Sequence, residues 1–190
     1  IHNNNVVMDL EAKGVKAVEE ASQVKKGQPV VIRSHGVGLE TYEELTKIGA
    51  EIIDAICPFV ERIHKLAKKY SGEGCVLLIA GDEKHPEVAG IRGHCLGRSF
   101  VFSDVSELVR LVEENKGEKL AVVSQTTFNL SVWNECVKKL EELGAEAVIT
   151  NTICNATAER QREAAELAQK ADCMIIVGGR HSSNTLKLRS

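Results

Sequence analysis

Apolar residues along this chain fall into two rhythms. Short runs at Val30–Arg33, Glu51–Ile56, Cys75–Ala80, Val101–Phe102, Leu120–Val123, Ala147–Thr150 and Met174–Val177 read as strands. Between them apolar residues return at the helical spacing over Leu39–Ile48, Phe59–Tyr70, Asp104–Glu114 and Asn129–Leu143. Gly14, Gly49 and Gly144 stand where helices should close. Asn5 is placed to cap a first helix through VVMDLEAK, and Asn184 a last one through TLKLR. The stretch AERQREAAELAQK is rich in strong helix formers.

Strands alternating with amphipathic helices predict an α/β fold of repeated three-layer modules with parallel sheets. No solenoid-type repeat and no low-complexity linker marks a boundary. The β–α units themselves divide the chain into a partial first module (1–57), a middle module (58–150) and a partial third module (151–190).

Composition narrows the function only by exclusion. Net charge is −3 with no basic block, so nucleic-acid binding has no electrostatic footprint. The apolar runs are too short to span a bilayer. Six cysteines in a chain of 190 residues do not resemble a small secreted disulfide scaffold, and a cytoplasmic, reducing setting fits best. Cys75, Cys136 and Cys173 read as small buried hydrophobes. Cys95 is ambiguous, in the turn GHCLG beside His94.

Cys57 and Cys154 differ from these. Each follows an apolar run and precedes a helix, Cys57 with Pro58 at the first helical position and Cys154 ahead of the Ala- and Glu-rich stretch. Free N–H groups and the helix dipole favour an anion there, which suits a thiolate acting as ligand or nucleophile. The two are 97 residues apart and neither forms a C-x-x-C pair, which argues against zinc-ribbon and ferredoxin spacings. Buried thiols at helix starts are the plain alternative.

Nearly every strand ends in a polar cluster: SHG, CP, HPE, QTT, CN and HSSN. Any one is explained by turn and cap preferences. Together they line the carboxyl edge of parallel sheets, where open α/β folds bind ligands. His35, His85 and His181 fall in these loops, and His2 lies beside an asparagine run. Imidazoles, hydroxyls and helix N-termini suit phosphate oxygens, and Gly36, Gly38, Gly178 and Gly179 let backbone approach a ligand. Glu87 reads either as a first-turn acid or as a proton donor. Thr126 and Thr127 either reach the same cavity or cap the following helix. His64, inside a helix, reads as a surface or boundary residue.

In this order and spacing, SHGVG, AICPFV, HPEVAG, SQTT, TICNATAERQ and GGRHSSNT resemble the IspH or LytB family of 4-hydroxy-3-methylbut-2-enyl diphosphate reductases. The resemblance runs from His2 to Asn184. It implies α/β modules around a central cavity that holds a four-iron four-sulfur cluster bound by three cysteines. It also implies reductive removal of an allylic hydroxyl in the last step of the methylerythritol phosphate route to isoprenoids. Cys57 and Cys154 match the second and third cluster ligands. His2, His35, His85, Ser182, Ser183 and Asn184 match the diphosphate-binding residues. Glu87 matches the proton-delivering acid, with Thr126, and Thr127 beside it, supplying a hydroxyl. A ferredoxin or flavodoxin is the implied electron donor. His181 carries no role.

The first cluster cysteine of the family pattern and its later Gly-Ala-Ser serine have no counterpart in this sequence. The chain is therefore expected to be a piece of a longer protein, inactive by itself. A cysteine-nucleophile hydrolase and a non-catalytic phosphate-binding module are the rival readings.

Overall fold

The computed structural model describes residues 4–179 and 182–189. A small sheet comes first. After α1 (Asn4–Ala12) and a short 3-10 turn (Ala21–Gln23), β1 (Pro29–Ile32) is followed by α2 (Leu39–Ile48) and then β2 (Glu51–Asp54). β1 and β2 pair in parallel, with Pro29 opposite Glu51. α2 closes at Gly49, whose φ of 76° is a left-handed value that glycine adopts without strain. Ile32 and Leu45 are buried together with Ala21 and Val24. Among the described residues nothing covers the opposite face, where Val31 and Ile53 are exposed.

The main sheet follows. α3 (Pro58–Gly72) leads into β3 (Val76–Ala80), α4 (Pro86–Gly93) into β4 (Ser99–Phe102), and α5 (Val105–Glu114) into β5 (Leu120–Ser124). α6 (Leu130–Glu142) precedes β6 (Ala147–Ile149). All pairings are parallel, in the order β4–β3–β5–β6. β3 and β5 are buried along their whole length, which is why they read as unbroken apolar runs.

Successive strand residues point to opposite faces, so these two strands feed two cores. Leu77, Ile79, Ala121 and Val123 pack with Ile63 and Ala67 of α3 and Val88 and Ile91 of α4. Val76, Leu78 and Val122 pack with Leu108 of α5 and Trp133 and Leu140 of α6. The result is the expected three-layer sandwich. α7 (Asn155–Ala168) and α8 (Ser183–Arg189) complete the described chain.

Several expectations are corrected. Among the described residues Met174–Val177 forms no strand and pairs with none, and Ile175 and Val177 are 86% and 91% exposed. A lone apolar run cannot satisfy its backbone as a strand without a ladder partner. Cys173 is accordingly exposed, whereas Cys75 and Cys136 are buried as read. β2 stops at Asp54, two residues before the end of its apolar run, because Asp54 Oδ1 accepts from the Ile56 N–H and turns the chain. α1 and α8 begin at Asn4 and Ser183, so Asn5 and Asn184 sit inside their first turns, not at the caps. Among the described residues no helix is long and apolar enough to cross a membrane.

Candidate active site

In the main sheet, β3 is followed in the chain by β4 on one side and has β5 on the other. The direction of winding therefore reverses between β3 and β5, and a crevice opens beyond their carboxyl ends. Gly81 ends β3. A Cβ there would stand 2.7 Å from Val88 Cγ2 and 3.1 Å from Gln125 Oε1, so glycine allows α4 and the loop after β5 to close together. His85 caps α4: its Nδ1 accepts from the Glu87 N–H at 3.2 Å. That bond leaves Nε2 to carry the proton of a neutral ring.

Glu87 is 1% exposed. Its Oε1 accepts the Thr126 N–H at 2.6 Å, and its Oε2 accepts the Thr126 hydroxyl at 2.7 Å. Burial pushes the Glu87 pKa up, and the two Thr126 hydrogen bonds pull the other way. Burial prevails, so the carboxyl keeps its proton to a higher pH than an ordinary glutamate. Thr126 does not cap α6; Asn129 does, accepting from the Val132 N–H.

The same threonine reaches the second cysteine. The Thr126 carbonyl accepts from the Cys154 N–H at 2.9 Å. One step earlier, Thr152 Oγ1 accepts from the Ser124 N–H at 2.8 Å and donates to the Ser124 carbonyl at 2.6 Å. The loops after β5 and β6 are thus joined twice. Gln125 joins a third, taking the Asp82 N–H on Oε1 and donating from Nε2 to Thr127 Oγ1.

Cys154 and Cys57 both occupy the position just before a helix, α7 and α3 respectively, in extended backbone. Neither side chain caps its helix, and both are partly exposed. The Cys57 N–H donates to the Ser34 carbonyl at 3.0 Å. Phe59 and Arg62 on the first turns of α3, and Ile153 and Asn155 flanking Cys154, line one cleft of about 190 Å³. Neither thiol lines that cleft, but two soft thiols at helix starts are the right kind of donor for an iron–sulfur group. Among the described residues no set of three His, Cys, Asp or Glu converges on a metal position, so this donor set is partial.

His35 follows β1, and its ring meets that of His85 edge-on, with centroids 5.3 Å apart. The two imidazoles therefore face one region, beside Glu87. His64 is not the surface or boundary residue expected. It is 3% exposed and stacks on His94 at 4.1 Å. A helical stripe of Val60, Ile63, His64, Ala67 and Ser71 at core spacing was the available signal. Thr152 and Gln125 were missed as structural ties, because a single sequence does not show which loop a polar side chain crosses to.

The remaining expected residues are less connected. His2 and the Ser183 side chain lie outside the described residues. Ser182 caps α8, its Oγ accepting from the Thr185 N–H at 3.4 Å, and Asn184 is half-buried. Leu186 and Lys187 of α8 line a second cleft, of about 350 Å³, with His85 and Gln125. That cleft also carries Asp82, Glu83 and Glu107, which repel an anion. The His35–His85 side is the better place for phosphate.

A family model described as LytB protein matches residues 1–190. This chain belongs to the LytB family. Among LytB relatives, the 4-hydroxy-3-methylbut-2-enyl diphosphate reductase of Caldanaerobacter subterraneus subsp. tengcongensis is 44% identical over 100% of this chain and 65% of its own length. The reductase of Clostridioides difficile is 39% identical over 99% of this chain and 67% of its own. A solved structure of (E)-4-hydroxy-3-methyl-but-2-enyl diphosphate reductase, the terminal enzyme of the non-mevalonate pathway, superposes with a TM-score of 0.74 at 36% identity, covering 99% of this chain and 66% of that one. The Plasmodium falciparum E-1-hydroxy-2-methyl-but-2-enyl-4-diphosphate reductase gives 0.90 at 28% identity, covering 99% and 59%. The chain thus spans about two thirds of the length of the Caldanaerobacter and Clostridioides reductases.

Proposed function

We propose that the protein carrying this chain reductively dehydroxylates 4-hydroxy-3-methylbut-2-enyl diphosphate, giving isopentenyl and dimethylallyl diphosphates. The observation that carries this is Thr126. Its N–H and hydroxyl hold the buried Glu87 carboxyl, while its carbonyl holds the amide of Cys154. A proton source and a thiol ligand are thereby built on one residue, at the winding reversal of the sheet. The names of the LytB relatives supply the reaction.

The chain's own residues have defined parts in this reading. Neutral His85 offers Nε2–H to a phosphate oxygen, and His35 stands edge-on beside it. Ser182, Ser183 and Asn184, at the start of α8, and His2 complete the diphosphate grip. Glu87 holds its proton because burial disfavours the carboxylate. When Oε2 is protonated, its bond to Thr126 reverses: Glu87 donates to Thr126 Oγ1, and the threonine hydroxyl turns outward toward the substrate. A proton delivered along this path lets the allylic hydroxyl leave as water. Thr127, held by Gln125, borders the same path.

Cys57 and Cys154, with a third ligand not found among the described residues, would hold a four-iron four-sulfur cluster that supplies two electrons singly from a ferredoxin or flavodoxin. Residues 1–57, 58–150 and 151–190 then act as a partial first, a middle and a partial third module in a cytoplasmic enzyme. Glu87→Gln in the complete protein tests the reading. It should leave visible absorbance and diphosphate affinity intact while turnover falls about a hundredfold or more, the usual scale for losing a general acid. Unchanged turnover removes Glu87 from the reaction, and absence of iron and sulfide from the purified wild type removes the reductase.

A further inference from the structure

Among the described residues, Nε2 of His64 is the buried side-chain nitrogen or oxygen left without a hydrogen-bond partner. Such an orphan in a well-packed interior calls for a reason. The ring is wedged among parts of the site. It stacks on His94 with an interplanar angle of 22°, and His94 Nε2 pairs with the Val37 carbonyl at 3.0 Å. Gly36 lies so close that a Cβ there would stand 2.5 Å from His64 Cε1. A Cβ on Gly90 would stand 3.0 Å from His64 Nε2 and 3.3 Å from the His35 carbonyl oxygen. The orphaned nitrogen and that carbonyl therefore both lie beside Gly90, and a side chain there would crowd both.

The ring's charge state suits a donor role. Burial, then the neighbouring His94, push the His64 pKa down to about 4, with Asp54 opposing. His64 is thus neutral under ordinary conditions, and one ring nitrogen carries a hydrogen. The loop above it is the one that presents His35 to His85.

We propose that His64 is a positioning residue whose Nε2–H donates to the His35 backbone carbonyl when a diphosphate draws the Ser34–Gly38 loop inward, locking His35 against His85. The inference rests on the diphosphate-binding reading of His35 and His85. It adds a residue that touches no substrate and a contact that forms only in the bound state. Gly90 belongs to the device, because any side chain there fills the path of the new bond.

The test uses the complete protein and inorganic pyrophosphate. Long-range proton–nitrogen spectra of the histidine rings are recorded with and without pyrophosphate, the His64 signal being the one missing from His64→Phe. On binding, the His64 Nε2–H signal should move to a hydrogen-bonded, slowly exchanging position. His64→Phe keeps a ring in the stack but loses the donor. It should bind pyrophosphate about five- to tenfold more weakly, the value of one net hydrogen bond. In turnover this should raise KM and leave kcat nearly unchanged. A purely structural role would lower Tm without a ligand-dependent nitrogen signal. If wild type binds pyrophosphate while the His64 signal stays put, or if His64→Phe binds equally well, the latch is wrong and the functional reading stands. If wild type binds neither pyrophosphate nor the diphosphate substrate, both fall.

Discussion

Gly36→Ala is the sharpest probe of how the His35 loop is held. Gly36 has a φ of 68°, a left-handed conformation that costs an L-residue about 1–2 kcal/mol. The new methyl would also stand 2.5 Å from His64 Cε1 and 2.8 Å from Ile56 Cδ1. Neither neighbour can retreat freely, because His64 is sandwiched against His94 and its side chain is buried. Overpacking of that kind adds about 1–3 kcal/mol, so the substitution should cost about 2–5 kcal/mol in all. Gly144→Ala is the control: φ is 61°, but nothing lies within 4 Å of its Cβ position. It should cost only the backbone term, about 1–2 kcal/mol.

Urea unfolding of the two variants and the parent reads the difference. Gly36→Ala should unfold at clearly lower denaturant than Gly144→Ala, with similar slopes. Adding His64→Ala to Gly36→Ala removes one of the two obstacles. The double variant should then be more stable than the sum of the single losses predicts, by roughly 1 kcal/mol. Equal losses at positions 36 and 144, or strict additivity with His64→Ala, would refute the claim that the loop is seated on the imidazole.

Four shorter predictions follow from the same geometry. The folded pKa of Glu87 lies above its ordinary 4.5, so its contribution to stability is full below that value and is lost as pH rises through the folded pKa; Glu87→Gln should gain on the parent in melting experiments as pH rises toward neutrality. For His64 the sign is opposite: its contribution is present above 6.5 and lost as pH falls through about 4, so His64→Phe should flatten the stability profile across that window. Thr126→Val removes a hydroxyl bonded to the Glu87 carboxyl and should destabilise by about 1.5–3 kcal/mol in urea, with turnover falling alongside. Thiol titration should label exposed Cys173 quickly and Cys136 last, because burial pushes the Cys136 thiol up to about 11.

Much of the fold was legible because burial on both faces leaves an unmistakable trace. β3 has no polar position and β5 only its last, Ser124, and Pro58 marked the start of α3. The run Met174–Val177 shows the limit: apolar sequence proposes a strand, but only a neighbouring strand makes one. The cap of α8 was read two residues late, at Asn184 in place of Ser182, because neighbouring residues of equal capping chemistry compete and sequence does not rank them. Of the candidate site, the places of Cys57, Cys154, His85 and Glu87 at strand-to-helix turns were legible. The Glu87–Thr126 and Ser124–Thr152 bonds cross from one loop to another, and their pairing is fixed by strand order, which the sequence does not state. His64 hid because a polar side chain in a core stripe reads as an exception.

Glu87, Thr126 and Cys154 follow β3, β5 and β6, and their loops are cross-tied by Thr152 and Gln125. Displacing Glu87 or Thr126 breaks buried hydrogen bonds, so this arrangement resists change. The His35 loop is tied to the same frame: His94 Nε2 pairs with the Val37 carbonyl, and His94 stacks on His64 of α3. In the proposed reading, proton delivery from Glu87 needs distances that do not drift, and so does the pairing of His35 with His85. Both then depend on α3 and α4, and loosening the His64–His94 stack should disturb the grip on the diphosphate before it disturbs the acid.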